Sequence, residues 1–223
     1  MANKFYNNLV SHWLMNDDLA TTAVLDTTGV NDGVMNVNTD TKSVEGKINK
    51  ALDFDGTDDY VDCGANVIPT GDFTLSAWVY LNNLTSYQAI LGQYQSGESG
   101  RLHFLIEQTS GKIFLQLTST ETSDSGITAS EWHHIVVTRS GSTVRFYIDG
   151  VADGTATLSD NVLQAVNTKI GISGVNKMDG KIDDVRIYDT AISPYYIKLL
   201  YNNGAGTEDE NVQSNTLLLG CNF

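Results

Sequence analysis

Apolar and polar positions alternate along much of this chain. In Phe73-Thr74-Leu75-Ser76-Ala77-Trp78-Val79-Tyr80-Leu81, the residues Phe73, Leu75, Ala77, Val79 and Leu81 share one face. Thr74, Ser76, Trp78 and Tyr80 share the other, and this period of two predicts a strand. Large groups on both faces predict a second layer over the Trp78 side. Ala89–Gln93, Leu102–Glu107 and Lys112–Leu117 read as a meander. His133–Arg139 and Thr143–Ile148 flank Ser140-Gly141-Ser142, and Asp149-Gly150 leads into Val151–Thr155, which predicts two hairpins. Lys169–Ile172 and Lys181–Tyr188 complete the series, while Ala51–Phe54 and Tyr60–Asp62 flank a turn at Asp55-Gly56-Thr57.

The spacing changes once, near the C-terminus. Ser193 suits an N-cap and Pro194 the first helical position. Ile197, Leu200 and Tyr201 follow at helical spacing until Asn202-Asn203-Gly204 ends the helix. Beyond Gly206 the chain turns polar and acidic, then apolar at Thr216-Leu217-Leu218-Leu219. The expected organisation is one domain over residues 1–205, then a polar linker and apolar tail over 206–223. That tail docks on its own domain or on a partner.

Composition narrows the function classes. Thirteen basic residues face 27 acidic ones, a formal charge of −14 in 223 residues. Such a surface repels phosphate backbones, so no nucleic-acid partner is expected. No run of 18 apolar residues is present, which argues against membrane insertion. The opening MANKFYNNLVSHWLMND lacks the pattern of a signal peptide. The two cysteines, Cys63 and Cys221, are too few for a disulfide scaffold and lie in no zinc-type spacing.

Several segments together resemble one family. They are Gly46-Lys47-Ile48-Asn49-Lys50-Ala51-Leu52-Asp53-Phe54-Asp55-Gly56-Thr57-Asp58-Asp59-Tyr60-Val61, the strand from Phe73 to Val79, and Glu131-Trp132-His133-His134-Ile135-Val136-Val137-Thr138. Phe146-Tyr147-Ile148-Asp149-Gly150 and Gly180-Lys181-Ile182-Asp183-Asp184-Val185-Arg186-Ile187-Tyr188 follow in order, the last leading to Ala191-Ile192-Ser193. Their collinearity resembles the laminin-G-like domain of the concanavalin A-like lectin/glucanase superfamily. The resemblance implies an all-β jelly-roll sandwich of two antiparallel sheets, with one short C-terminal helix. It implies packing roles for Trp13, Trp78 and Trp132. It leaves function open, because this fold carries binding modules, structural modules and glycosidases.

The residues give little support for catalysis. Glycosidases of this fold carry paired carboxylates as E-x-D-x-x-E, and that motif is missing. Thr122-Ser123-Asp124-Ser125-Gly126-Ile127-Thr128 is a single imperfect copy of a sialidase Asp-box and reads as a loop. His133 and His134 are adjacent on a strand and face opposite sides. His12 and His103 are isolated, and a lone histidine is ordinarily satisfied locally. The segment Asp53–Asp59 fails the EF-hand pattern in its glycine and its twelfth position. A non-enzymatic protein is expected, with a glycoside hydrolase as the alternative.

Asp183 is read in phase with Val185 and Ile187, and an inward carboxylate needs hydrogen bonds or a cation. The resemblance implies one structural calcium, held by Asp183 with Asp26 of the Asp26-Thr27-Thr28-Gly29 loop. The alternative is an Asp183 that only receives backbone N–H groups. A sugar site joins an aromatic platform to planar polar groups. Gln93, Tyr94 and Arg101 supply these around the Gln93–Arg101 loop, with Asn31 and Asp32 nearby; the alternative is an ordinary solvated loop. The expected function is non-catalytic recognition or adhesion, with a glycan or glycoprotein surface as partner. The expected setting is extracellular or a virion surface, as in a phage structural protein. Thr216–Phe223 is the expected anchor to a virion or to further copies, and the alternative function is a decoration protein without sugar binding.

Overall fold

The computed structural model describes residues 8–94, 101–160, 162 and 166–208. The strands run in chain order as β1 (Leu9–Trp13), β2 (Ala23–Val24), β3 (Gly33–Met35), β4 (Ser43–Glu45), β5 (Lys50–Asp55) and β6 (Val61–Ala65). Next come β7 (Phe73–Leu81), β8 (Gln88–Gln93), β9 (Leu102–Ile106), β10 (Lys112–Gln116), β11 (Thr120–Gly126) and β12 (Trp132–Ser140). The last are β13 (Thr143–Ile148), β14 (Val151–Thr157), β15 (Asn167–Ile170), β16 (Ile172–Ser173), β17 (Asn176–Lys177) and β18 (Asp179–Tyr188), followed by the helix α1 (Pro194–Tyr201).

Two antiparallel sheets form the sandwich. One has the order β14-β13-β12-β7-β18-β5-β4, with β1 also on β18; the other is β11-β10-β9-β8-β15-β6-β3-β2. The apolar face of β7, namely Phe73, Leu75, Ala77, Val79 and Leu81, enters the core between them. It meets Phe104, Ile106, Ile113 and Leu115 from the facing sheet. The predicted second layer over Trp78 is present. Tyr201 of α1 stacks on the Trp78 indole at 5.7 Å and 23°, and His134 lies 5.1 Å from the same ring. Ile197 and Leu200 of α1 pack with Val136 and Tyr147 in a separate apolar cluster.

Helix α1 begins and ends where the sequence places it. Pro194 occupies its first turn, and Asn202 closes it in the left-handed region at φ 48°. The chain then crosses the outer face of the first sheet. A Cβ on Gly206 would meet Ile48 Cδ1 at 2.6 Å and Trp78 Nε1 at 3.0 Å, so only glycine passes there at φ +72°. The Thr207 carbonyl accepts from Arg186, and Glu208 accepts from Asn16 at 2.7 Å and Asn49 at 2.9 Å. Residues 209–223, with Cys221 and the apolar tail, lie outside the described residues.

Two expectations about single elements change. Residues 122–126 of the Thr122–Thr128 segment, read as a loop, belong to β11. This strand pairs with β10 at the sheet edge, where only Ser123 is buried, so its polar composition costs little. The phase of β18 is interrupted. Asp184 adopts φ 50°, and the pairing with β7 shifts between Asp183 and Arg186. Such a bulge inserts one residue and flips the alternation. Ile182, Val185 and Ile187 therefore all face the core, while Asp183 lies opposite Trp78 on the outer face.

Candidate functional site

The two carboxylates expected to share calcium have different surroundings. Asp26 Oδ1 accepts from the amides of His12 (2.8 Å) and Thr28 (3.1 Å); Oδ2 accepts from the Thr28 hydroxyl (2.5 Å) and the Asn31 amide (3.0 Å). Burial opposes ionisation here, but these four donors hold its pKa below the ordinary value. Asp183 Oδ2 accepts from the Ile48 amide at 2.8 Å, and Oδ1 has no partner among the described residues. Burial lifts its pKa to about 8, further raised by the neighbouring Asp184. Burial thus favours the protonated form of Asp183 at neutral pH. A calcium ion requires six to eight converging oxygens. Asp26 and Asp183 share no hydrogen-bond partner, and N–H and O–H donors take both oxygens of Asp26, so Asp26 does not fit an ion shared with Asp183. Chelation with EDTA is expected to shift the melting temperature by under about 2 °C, less than about 1 kcal/mol for a domain of this size. A larger shift, or stoichiometric calcium by elemental analysis, would restore the ion.

A different acidic group, Asp55, Asp58 and Asp59, comes together at the β5 turn. Lys42 Nζ sits beside it, bonded to Asp59 and 3.7 Å from Asp55. Turn hydrogen bonds from Thr57 and Asp55 amides occupy the carboxylates of Asp55 and Asp59. The local turn reading of this segment therefore describes the geometry.

The expected ligand residues separate into three places. Gln93 is a correction. The pairing of β8 with β9 shifts between Ala89 and Leu91, and both Ile90 and Leu91 enter the core. The bulge turns Gln93 inward, where it is fully buried and donates to Thr168 Oγ1 at 3.1 Å. It cannot meet a ligand on the surface. Tyr94 points outward and is 38% exposed, with the Arg101 guanidinium 5.7 Å from its ring centre. Asn31 and Asp32 lie elsewhere, at the β3 end of the same sheet. The Asn31 amide group donates to Ser11 Oγ at 2.7 Å, and Asp32 accepts from the Asp26 amide at 2.8 Å. Residues 95–100 of the expected loop lie outside the described residues.

What joins the two ends is the outer face of β8, β15, β6 and β3, which are neighbours in that order. A depression of about 200 Å3 lies between Tyr94, Asn167, Lys169 and the β16–β17 turn. A larger groove of about 600 Å3 runs from Tyr60 and Asp62 past Val34 and Asn36 to Asn31 and Asp32. Both sizes belong to one strip because Asn167 Nδ2 donates to both Asp62 oxygens, at 2.9 and 3.0 Å. Lys169 Nζ lies 3.8 Å from Asp62 and 4.2 Å from the Tyr60 ring centre.

The floor of the strip is fixed by close backbone approach. A Cβ on Gly92 would fall 2.0 Å from Ser173 Oγ, so glycine lets the β16–β17 hairpin lie directly on β8. Ser173 Oγ is 2.7 Å from His103 Nδ1, and His103 packs 5.4 Å from the Tyr94 ring. Burial and the Arg101 charge lower the His103 pKa to about 4, so the ring is neutral at pH 7. Tyr60, Asp62, Asn167 and Lys169 were missed by sequence reasoning. The signal available was the alternation in the two short strand segments that contain them.

Residues 55–198 match the family model Laminin_G_3, described as the concanavalin A-like lectin/glucanases superfamily. The chain belongs to this superfamily. Its lectin-like fold is shared by domain 4 of AbnA, a GH43 extracellular arabinanase from Geobacillus stearothermophilus, solved in complex with arabinotriose. That match has 18% identity and a TM-score of 0.72, and covers 86% of this chain and 97% of the arabinanase domain. The binding domain of Paraclostridial Mosquitocidal Protein 1 matches at 15% identity and a TM-score of 0.67, covering 90% of this chain. Trypanosoma rangeli sialidase, in complex with the inhibitor DANA, matches at 13% and 0.66 over 88% of this chain. This superfamily member spans 53% of the toxin domain and 33% of the sialidase. Comparison with curated protein sequences yields no match.

Proposed function

We propose that the protein is a non-catalytic glycan-recognition module acting at an exterior surface, and that the sugar lies along the outer strip of the second sheet. The observation that carries this reading is the strip itself. Tyrosine rings at Tyr94 and Tyr60 are spaced along it, with the planar amide of Asn167 and carboxylate of Asp62 on the strands between and the amide of Asn36 on the β3 side of Tyr60. Apolar ring faces receive the C–H faces of sugars, and planar polar groups receive their hydroxyl pairs. The arabinanase domain solved with arabinotriose lends support as a carbohydrate-bound example of this fold.

The absence of a catalytic role in this reading rests on the carboxylates. Glycoside hydrolysis needs one carboxyl held protonated beside a second. The carboxyl raised to about 8, Asp183, is buried on the opposite sheet, far side of the sandwich from the strip. At the strip, Asp62 is held by Asn167 and Lys169, and Asp32 by a backbone amide.

The test is a glycan array followed by calorimetry on the best binder. Asp62→Ala and Tyr60→Ala are each expected to weaken binding at least tenfold. Tyr195→Ala, on the exposed side of α1, is expected to leave it unchanged. A blank array overturns the reading, and equal affinities for all variants overturn the placement.

A further inference from the structure

The segments on either side of β2 carry a surface that the binding strip does not use. Leu14, Leu19 and Leu25 wall a cleft of about 550 Å3 whose rim holds Asn16 and Asp17. Leu19 is 65% exposed and Leu25 57% exposed, an unusual pair of large aliphatic side chains facing solvent together. The last described residue of the chain ends at this rim. Glu208 Oε1 accepts from Asn16 Nδ2 at 2.7 Å, and Asn16 is itself a wall of the cleft. The strap behind it is held firmly, because Arg186 donates to the Thr207 carbonyl and Gly206 packs on Ile48 and Trp78.

Fifteen residues follow Glu208, and they contain one compact apolar stretch, Thr216-Leu217-Leu218-Leu219. We propose that this stretch, residues 216–219, occupies the Leu14–Leu19–Leu25 cleft of its own chain. The eight residues from Glu208 to Thr216 span at most roughly 26–29 Å, ample to leave the rim and return. Asn211, Ser214 and Asn215 provide turn-forming residues along the way. A tether this short gives the tail an effective concentration on the order of millimolar at its own cleft, which favours it over the tail of a second copy. Charge does not drive the contact, since Asp209 and Glu210 of this segment carry the same sign as Asp17 and Asp18 of the cleft; the leucines do.

The experiment uses the full chain carrying Cys221→Ser, with Leu25→Cys and Leu218→Cys added. Cys63 is buried with its thiol pKa pushed well up, so it does not compete. Mild oxidation is expected to give a monomeric disulfide between positions 25 and 218, seen by peptide mass and non-reducing electrophoresis. A control pairing Leu218→Cys with Tyr195→Cys on α1 is expected to give less than a tenth of that yield. A covalent dimer would assign the cleft to a second copy, and no crosslink or equal yield in the control would remove the proposal. A second variant, Leu218→Asp in the otherwise unaltered chain, is expected to speed hydrogen exchange at residues 16–27 at least tenfold with the circular dichroism unchanged. Unchanged exchange there would also overturn the proposal.

Discussion

Replacing Arg186 with leucine is expected to destabilise the fold by about 3–5 kcal/mol, the range for removing one partner of a buried ion pair. Arg186 is 1% exposed and Asp184 fully buried. The guanidinium donates to Asp184 at 2.9 Å through NH2 and at 3.2 Å through Nε. His12, also fully buried, lies 2.6 Å from the same carboxylate. Burial works against the Asp184 charge, but Arg186 and His12 hold its pKa down at about 2. Leucine would fill most of the volume and leave that carboxylate facing one imidazole and no guanidinium. It would also release the Thr207 carbonyl, and with it the strap across Trp78. The loss should appear as a lower urea midpoint at unchanged slope, and as a fall in melting temperature of about 10 °C. The double variant Arg186→Leu/Asp184→Asn should recover part of it, because a neutral amide leaves no buried charge to satisfy. An Arg186→Leu protein within 1 kcal/mol of the parent would show that the pair contributes specificity and no stability.

The sign of the Asp184 effect follows from linkage. A carboxylate held near 2 in the folded state, against 3.8 when unconstrained, contributes stability that is complete above pH 4. That contribution is lost as the pH falls towards 2. Arg186→Leu should therefore flatten the acid limb of the stability curve as well as lower it.

The pair also shows where the sequence stops being informative. Alternation along β7 is uninterrupted over nine residues, so its core face and its covered Trp78 face are both readable. The cap, proline and periodicity of α1 are local signals, and the helix lies within its expected bounds. In β8 and β18 the same alternation fails at one residue each. The bulges at Ala89/Leu91 and at Asp184 are fixed by pairing with strands distant in sequence, and no local composition announces them. Each bulge inverts everything after it, which is why Gln93 turns inward, and why Val185 and Ile187 face the core while Asp183, just before the bulge, faces outward. The short strands β2, β3 and β4 have two or three residues, too few for any period. The binding strip was only half legible for a related reason. Tyr94 and Asn31 stand out as loop residues, whereas Asp62 and Asn167 meet only because β6 and β15 pair across about 100 residues of chain.

Replacing Asp183 with asparagine is expected to stabilise the protein, increasingly so as the pH rises. In the folded state this carboxyl has its pKa raised by burial to about 8, against 3.8 in an unconstrained chain. Between those values the folded protein keeps a proton that the unfolded chain has released. Stability attributable to this group therefore falls with rising pH and levels off above 8. The histidines act in the opposite direction at lower pH. Burial holds His103 and His134 at about 4, so their contribution rises with pH only until about 6.5. From pH 6.5 to 8 the decline due to Asp183 stands alone among these groups. Asparagine keeps an oxygen to accept the Ile48 amide and cannot ionise, so it reproduces the protonated form that the fold prefers. The gap between Asp183→Asn and the parent should widen by roughly 3.5–4 kcal/mol from pH 5 to pH 8, at 1.36 kcal/mol for each unit. Denaturant titrations at pH 5, 6.5 and 8 measure it directly. A gap that stays constant would mean that Asp183 titrates normally. A variant that is less stable at pH 8, and only when calcium is supplied, would mean that the carboxylate holds an ion after all, and would overturn the reading of Asp183 as a buried, protonated structural acid.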